Sequence, residues 1–164
     1  MARNNYKAFI DEQDFRTWWL LHQASDASFR VRNRELSQYG ITPEQAAILL
    51  IVKILIRTKR KPTPGEISKW ILREPDSASK ILTRMERDGF IIKNSGLGKK
   101  KNEVHVTLTG KGEKAYKYSL KRDSIHEMMS CLSKEEHLEL SSLLIKLRDK
   151  ALQDLAKKSE AVFP

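Results

Sequence analysis

The sequence predicts a mainly α-helical chain that carries one small β-hairpin. Apolar residues recur at helical spacing along most of the 164 residues, and three proline-led segments, at Thr42, Thr63 and Pro75, mark helix starts. One stretch breaks the helical period, because apolar and polar residues alternate over 104–108 after a glycine- and lysine-rich segment. We therefore expect a bundle of helices interrupted by a single hairpin.

The first two helices are predicted from apolar spacing and from a capping signal. The first runs from about Asp11 to Leu36, with apolar or aromatic residues on one side and no Gly or Pro before Gly40. The second begins at Thr42-Pro43, where Gln45 completes a capping box. Its sequence AAILLIVKILI is apolar on nearly all sides, so this helix belongs in the core.

Two short helices follow, separated by a few residues. Thr63 caps the first, and we expect the Glu66 side chain to reach back to this cap. We also expect three buried anchors in this helix: Ile67, Trp70 and Ile71. Pro75 opens the second, and Gly89 ends it as a C-terminal cap. The inner positions of this helix are apolar: Ala78, Ile81, Leu82 and Met85. The outer positions are polar or cationic: Ser77, Ser79, Lys80, Thr83, Arg84 and Arg87. This pair of helices describes a helix-turn-helix.

The hairpin comes directly after the helix-turn-helix. Residues 90–93 and 104–108 form its strands, and the tip NSGLGKKKN contains Lys99, Lys100 and Lys101. A basic hairpin in this position is typical of the wing of a winged helix. The sequence thus predicts a winged helix-turn-helix over residues 41–108.

The remaining helices lie outside this domain. Thr109 caps a helix expected to continue through Leu132, and Ser133 with Glu136 forms the capping box of a last helix with a leucine-rich stripe. Long apolar helices exceed what one small winged helix needs to cover itself. We therefore assign residues 11–40 and 109–160 to a helical region that forms a homodimer.

The distribution of charge indicates a nucleic-acid partner. Residues 57–122 hold 18 Lys+Arg against 7 Asp+Glu, whereas residues 1–56 have a net charge of +1 and residues 123–164 a net charge of −2. Concentrating the cations in the middle third is what a phosphate-binding surface requires.

DNA reading needs short polar and long cationic side chains on a helix that enters the major groove. Ser77, Ser79, Lys80, Thr83 and Arg84 meet that need, with Arg84 able to donate bidentately to guanine. Lys99, Lys100 and Lys101 would bind flanking phosphates. The predicted partner is double-stranded DNA.

The segments DSASKILTRMERDGFIIKN and VHVTLTGKGEKAY resemble the multiple-antibiotic-resistance regulator (MarR) family, and the order of elements matches over nearly the whole chain. The resemblance implies a prokaryotic transcriptional regulator that binds a pseudo-palindromic operator as a homodimer. It also implies that a small aromatic effector is the kind of ligand that would change DNA binding. Family wings commonly carry Asp-x-Arg near the tip. This wing has Gly-Leu-Gly-Lys-Lys-Lys instead, so we expect contacts to phosphate rather than minor-groove reading.

Trp18, Trp19 and His22 are candidates for an effector pocket, although packing at a dimer interface or in the core is the interpretation we favour for them. No pattern of a catalytic, metal or cofactor site occurs in the sequence, so we expect no enzyme activity. Cys131 is expected to be a buried, inert thiol. The N-terminal segment lacks a signal-peptide-like apolar run and no stretch is long enough to span a membrane, which predicts a cytoplasmic protein.

Two alternatives to a sequence-specific regulator remain. One is a non-specific or architectural DNA-binding protein, which a lysine-only wing would suit. The other is a protein-interaction module whose winged helix does not touch DNA.

Overall fold

Seven helices and one antiparallel hairpin make up residues 12–95 and 104–160, the part of the chain that the computed structural model describes, with side chains up to residue 156. The elements in order are α1 (Gln13–Ser37), α2 (Pro43–Arg57), α3 (Pro64–Trp70), α4 (Pro75–Arg87), β1 (Ile91–Ser95), β2 (Val104–Leu108), α5 (Gly110–Ser119), α6 (Asp123–Met129) and α7 (Lys134–Glu160). The chain divides into two compact units, Met1–Ile125 and His126–Pro164. This architecture confirms the predicted fold of helices around one hairpin wing.

Helix α2 is the centre of the core of the first unit. Six of its residues are buried: Ala46, Ile48, Leu49, Ile51, Val52 and Leu55. The predicted capping box at its start is present, since Thr42 and Gln45 exchange hydrogen bonds of 3.0 and 3.2 Å. The one charged residue in its apolar run, Lys53, reaches the Glu113 carboxylate on α5 at 2.9 Å. The Lys53 ammonium group is therefore paired with Glu113 at the edge of the core.

Helix α4 ends as predicted at Gly89, which has φ of +76°. The Phe90 amide donates to the Met85 carbonyl and the Gly89 amide to the Glu86 carbonyl, both at 2.9 Å. This is the bond pattern of a Schellman motif. Because Phe90 and Met85 are both buried, the same turn directs the chain from the recognition-type helix straight into the hairpin.

The helix-turn-helix comprises α3, a four-residue connection and α4. Ile67 is buried, as predicted, whereas Ile71 is only half-buried against the core. The expectation for Trp70 is wrong, because it is 45% exposed. Nearly half of its surface is in solvent, although it follows the buried Ile67 by only three residues. The predicted reach of Glu66 back to the cap is also wrong, since its carboxylate pairs with Arg60 and Lys69 instead.

The hairpin is attached to the helix-turn-helix through a loop as well as through the chain. Lys93 on β1 is opposite Val106 on β2 in the register of the strands. The Val106 amide donates to the Pro62 carbonyl at 2.9 Å, and Pro62 precedes α3. The outer edge of β2 is therefore bonded to the segment that leads into the helix-turn-helix.

A close backbone approach anchors the base of the hairpin to α5. The Thr109 hydroxyl caps α5 by accepting from the Gly112 amide at 3.0 Å and donates to the Gly89 carbonyl at 2.6 Å. A Cβ added to Gly112 would lie 2.0 Å from the Phe90 carbonyl oxygen. Gly112 is thus required because no side chain fits between α5 and the start of β1.

The single helix predicted from Thr109 to Leu132 is wrong, because α5 ends at Ser119 and α6 begins at Asp123. The Arg32 guanidinium on α1 donates to the carbonyls of Ser119 at 2.7 Å and Lys121 at 2.6 Å. Carbonyls that a continuing helix would bond internally are thereby held by another helix.

Arg32 also pairs with Glu35, whose carboxylate accepts hydrogen bonds from the amide and hydroxyl of Ser124. Burial by itself raises the pKa of Glu35. The hydrogen bonds from Ser124 and Arg32 together lower it by more than burial raises it, so the pKa of Glu35 lies below the ordinary carboxyl value. This carboxylate therefore stabilises the fold above the ordinary carboxyl pKa and ceases to do so as the pH falls through the lowered one.

The second unit consists of the end of α6 and the long helix α7. The predicted capping box is present, with Ser133 and Glu136 bonded at 2.8 and 3.2 Å. Cys131 is exposed, so the expectation of a buried thiol is wrong; its position between two helices leaves it at the surface. None of the helices in the described ranges is long and apolar enough to cross a membrane.

We expect the Gly112→Ala variant to be destabilised by about 1–3 kcal/mol, because the backbone of β1 must move to admit the methyl group. Urea denaturation measures this loss as a fall in the free energy of unfolding. Gly110→Ala is the matched control, since nothing lies within 4 Å of its added Cβ. Equal stability of the two variants would contradict the close approach.

Candidate nucleic-acid interface

Helix α4 has one face in the core and one in solvent. Ala78, Leu82 and Met85 are fully buried, and Ile81 is partly buried against the same cluster. The predicted inner face is therefore confirmed. Burying a leucine or methionine side chain stabilises a fold by roughly 1.5–3 kcal/mol each, which fixes the rotation of this helix about its axis.

The opposite face of α4 presents the predicted DNA-contacting residues. All five are exposed: Ser77, Ser79, Lys80, Thr83 and Arg84. Four of them, with Arg87, line a shallow open groove of about 240 Å³. Within the described part of the chain, the side chains of Lys80 and Arg84 make no hydrogen bond or ion pair, whereas Arg87 pairs with Asp88 at 3.1 Å. The cations of Lys80 and Arg84 are thus available to a ligand.

A junction between α4 and the hairpin contains two residues that the sequence analysis did not select. Glu86 accepts from the Lys93 backbone amide at 2.8 Å, and its second carboxylate oxygen lies 3.5 Å from the Lys93 Nζ. The same Nζ donates to the Thr83 hydroxyl at 2.8 Å. A DNA-contact candidate on α4 is therefore bonded to the first strand of the hairpin.

The strand pattern contained a signal for this junction. Ile91 is 1% exposed and Ile92 is 48% exposed, so the alternation turns Lys93 toward the helices. Its side chain is only 22% exposed. A lysine at an inward position needs a partner, which would have pointed to an acidic residue on α4.

Lys99, Lys100 and Lys101, the predicted phosphate-binding residues of the hairpin tip, lie outside the described residues. Their role stays a prediction.

Trp18, Trp19 and His22, the candidate effector residues, are exposed and form an aromatic group on α1 with the half-buried Phe15. The ring centroids of Trp18 and His22 are 5.9 Å apart and those of Trp19 and His22 are 5.8 Å apart. Trp18 is 54% and Trp19 is 45% exposed, so the interpretation of these residues as core of the single chain is wrong. The helix α1 contributes only Leu36 to the buried positions. Effector binding and dimer packing stay predictions.

The first unit contains a cleft of about 370 Å³ that the sequence analysis did not anticipate. Ala46 and Leu50 of α2 form part of its apolar lining together with Leu120 and Ile125, and Arg32 and Arg122 supply cations. The cleft exists because α5 stops at Ser119, so its position depended on the helix break rather than on a motif.

Comparisons with known proteins identify relatives with a regulatory role. An HTH-type transcriptional regulator of Bacillus cereus is 26% identical over 133 residues, which are 79% of this chain and 85% of the relative. No established family profile matches the chain.

Among solved structures, the organohalide-sensing transcriptional regulator RdhR in its ligand-free form is 33% identical. The match covers 86% of this chain and 82% of RdhR, with a TM-score of 0.76. A mutant MarR of E. coli in complex with operator DNA is 23% identical, covers 85% of this chain and 96% of MarR, and has a TM-score of 0.72, which shows a common fold. Together with the wing and the two-faced helix α4, these similarities identify the chain as a member of the MarR family of winged helix-turn-helix, DNA-binding transcriptional regulators.

Proposed function

We propose that the protein regulates transcription as a homodimer that inserts α4 of each protomer into the major groove of a pseudo-palindromic operator. The observation that carries this proposal is the division of α4 into a buried apolar face and an exposed face with two uncommitted cations. A two-fold dimer would place its recognition helices about 10 bp apart, one turn of the duplex. Such a protein acts where a prokaryotic chromosome lies, in the cytoplasm, and works by occupying DNA rather than as an enzyme.

The exposed side chains of α4 fall into two groups, one suited to base edges and one to phosphate oxygens. Arg84 has the planar donor geometry that matches the O6 and N7 atoms of guanine, and Lys80 lies one turn before it on the same face. Ser77 and Ser79 are nearer the start of the helix and suit phosphate oxygens, which set register without reading sequence.

The homodimer is supported by apolar side chains that a single chain leaves in solvent. On α7 the exposed set is Leu138, Leu140, Leu143, Leu144, Ile145, Leu147, Leu152 and Leu155. On α1 it is Trp18, Trp19, Leu20, Leu21, Phe29 and Val31. So much exposed apolar surface is typical of an interface. We propose that residues 11–40 and 109–160 supply that interface and that residues 41–108 bind DNA.

A small aromatic effector fits the same proposal. RdhR has been crystallised with 2,4-dichlorophenol, and this chain is 33% identical to it with a TM-score of 0.77 for that form. The cleft lined by Arg32 and Leu120 and the aromatic group of Trp18, Trp19 and His22 are the two candidate places. An effector would act by favouring a dimer in which the recognition helices have a different spacing.

We expect Arg84→Ala to weaken binding to the preferred duplex by about 1–3 kcal/mol and to relax its sequence preference. The preferred duplex is the one that the wild-type protein selects from a random pool, and fluorescence anisotropy against it and a scrambled duplex gives both affinities. Lys117→Ala, an exposed lysine of α5, is the control of equal charge change. A Lys80→Ala plus Arg84→Ala variant that binds like the wild type would overturn the assignment of α4 and favour a protein-interaction module.

The wild-type protein should prefer the selected duplex over the scrambled one by about 10³-fold or more at two salt concentrations. This ratio separates a regulator from an architectural protein, because non-specific binding depends on phosphate contacts alone. A ratio near one would favour the architectural alternative.

Replacing Lys99, Lys100 and Lys101 with glutamine should weaken binding to both duplexes alike. The slope of log affinity against log salt should fall by about one unit for each phosphate group that the protein no longer neutralises. An unchanged salt slope would contradict phosphate binding by the hairpin tip.

Introducing lysine at both Leu143 and Leu147, which lie four residues apart on one face of α7, should dissociate the homodimer. Sedimentation should then give the mass of one chain instead of two, and operator affinity should fall about 10²-fold or more because two half-sites are no longer bound together. Ser142→Lys, off the leucine stripe, is the matched control. A variant that keeps twice the chain mass would contradict the interface.

A further inference from the structure

We propose that Glu86 and Lys93 form a clasp that holds the wing against the recognition helix, and that Glu86 is a positioning residue for sequence discrimination. The proposal rests on the proposed role of α4 in reading DNA. It assigns to Glu86 and Lys93 a function without contact to any base.

The clasp joins one carboxylate to two groups of one residue. One carboxylate oxygen of Glu86 accepts a hydrogen bond from the Lys93 backbone amide at 2.8 Å, and the other lies 3.5 Å from the Lys93 Nζ. The Glu86 side chain is 39% exposed and the Lys93 side chain is 22% exposed, so solvent only partly screens the pair. A hydrogen bond to a carboxylate is stronger than one between neutral groups, which suits a contact that must define an angle.

The position of the clasp explains why it controls orientation. Lys93 and Val106 are opposite each other in the hairpin, and at this level both outer edges are bonded to other elements. The Pro62 carbonyl holds the edge of β2, and the Glu86 carboxylate holds the edge of β1. Releasing the edge of β1 would leave the orientation of the hairpin to the buried Ile91 and Val106, to the Pro62 bond on β2 and to the bonds at its base. The exposed side of β1 could then tilt relative to α4.

The clasp also fixes part of the reading face. The Lys93 Nζ donates to the Thr83 hydroxyl, and Thr83 is adjacent to Arg84 on α4. Since this ammonium group is directed to Glu86 and Thr83, Lys93 is assigned to positioning rather than to phosphate binding. Loss of its charge should therefore leave the salt dependence of DNA binding unchanged.

Three variants of the full-length protein test this assignment against the selected and scrambled duplexes. Glu86→Ala removes both bonds, Glu86→Gln keeps an acceptor for the Lys93 amide, and Lys93→Gln removes the charge but keeps the amide. Lys117→Gln is the matched control for the loss of one lysine charge. Circular dichroism melting of each variant shows how much of the protein is folded at the assay temperature.

We expect Glu86→Ala to lower the ratio of selected to scrambled affinity about tenfold, with affinity for the scrambled duplex maintained or increased. Glu86→Gln should recover most of that ratio. Lys93→Gln should keep the parental salt slope, as Lys117→Gln does. Recovery by glutamine is a result that a charge effect alone would not produce.

Three results would overturn the clasp. If Glu86→Ala and Glu86→Gln strengthen binding to both duplexes equally, Glu86 acts only by its negative charge. If Lys93→Gln lowers the salt slope by about one unit, Lys93 is a phosphate contact. If Glu86→Ala keeps the parental ratio, the wing does not depend on this carboxylate.

Failure of the clasp and failure of the proposed function give different results. When the wild type discriminates and the Lys80→Ala plus Arg84→Ala variant does not, α4 reads DNA whatever the Glu86 variants show. When the wild type itself fails to discriminate, the proposed function fails first.

Discussion

The burial of one side of α4 is the constraint on which the candidate interface depends. Ala78, Leu82 and Met85 occupy the core and Ile81 packs against it, so the polar residues on the opposite side of the helix face solvent. If the helix were rotated by half a turn about its axis, Lys80 and Arg84 would be buried without partners. The free-energy penalty of burying two unpaired charges exceeds the stabilisation that packing of their side chains could give. The core thus selects which side chains DNA would meet.

The wing depends on that helix through short-range contacts. The Schellman turn at Gly89 passes the chain from α4 into β1, and Gly112 lets α5 approach the Phe90 carbonyl closely. Thr109 joins both, since its hydroxyl caps α5 and bonds the Gly89 carbonyl. The base of the hairpin is therefore held against α4 by a segment that matches the family pattern, Leu108-Thr109-Gly110-Lys111-Gly112.

The two ends of the chain differ in character from the middle. The core of the first unit draws on α2, α4 and the hairpin, whereas α1 and α7 leave tryptophans and leucines in solvent. An apolar stripe on a long helix is destabilising in water unless another surface covers it. This separation of a basic, well-packed middle from apolar ends is the physical basis on which we propose a homodimer whose middle segment binds DNA.

Except for the break between α5 and α6, the sequence by itself determined the order and type of the elements, because caps, prolines and apolar periodicity act over a few residues. Thr42, Pro75, Gly89 and Ser133 each marked a boundary that the structure has, and the polar face of α4 followed from helical spacing alone. Only the tertiary structure decided where Arg32 ends α5, which leaves the cleft beside Leu120, and how Lys93 meets Glu86. Local patterns predicted Trp70 as buried for the same reason that they missed these contacts. Which side of a short helix is covered, and which charges meet, depends on residues far apart in the chain that only the fold brings together.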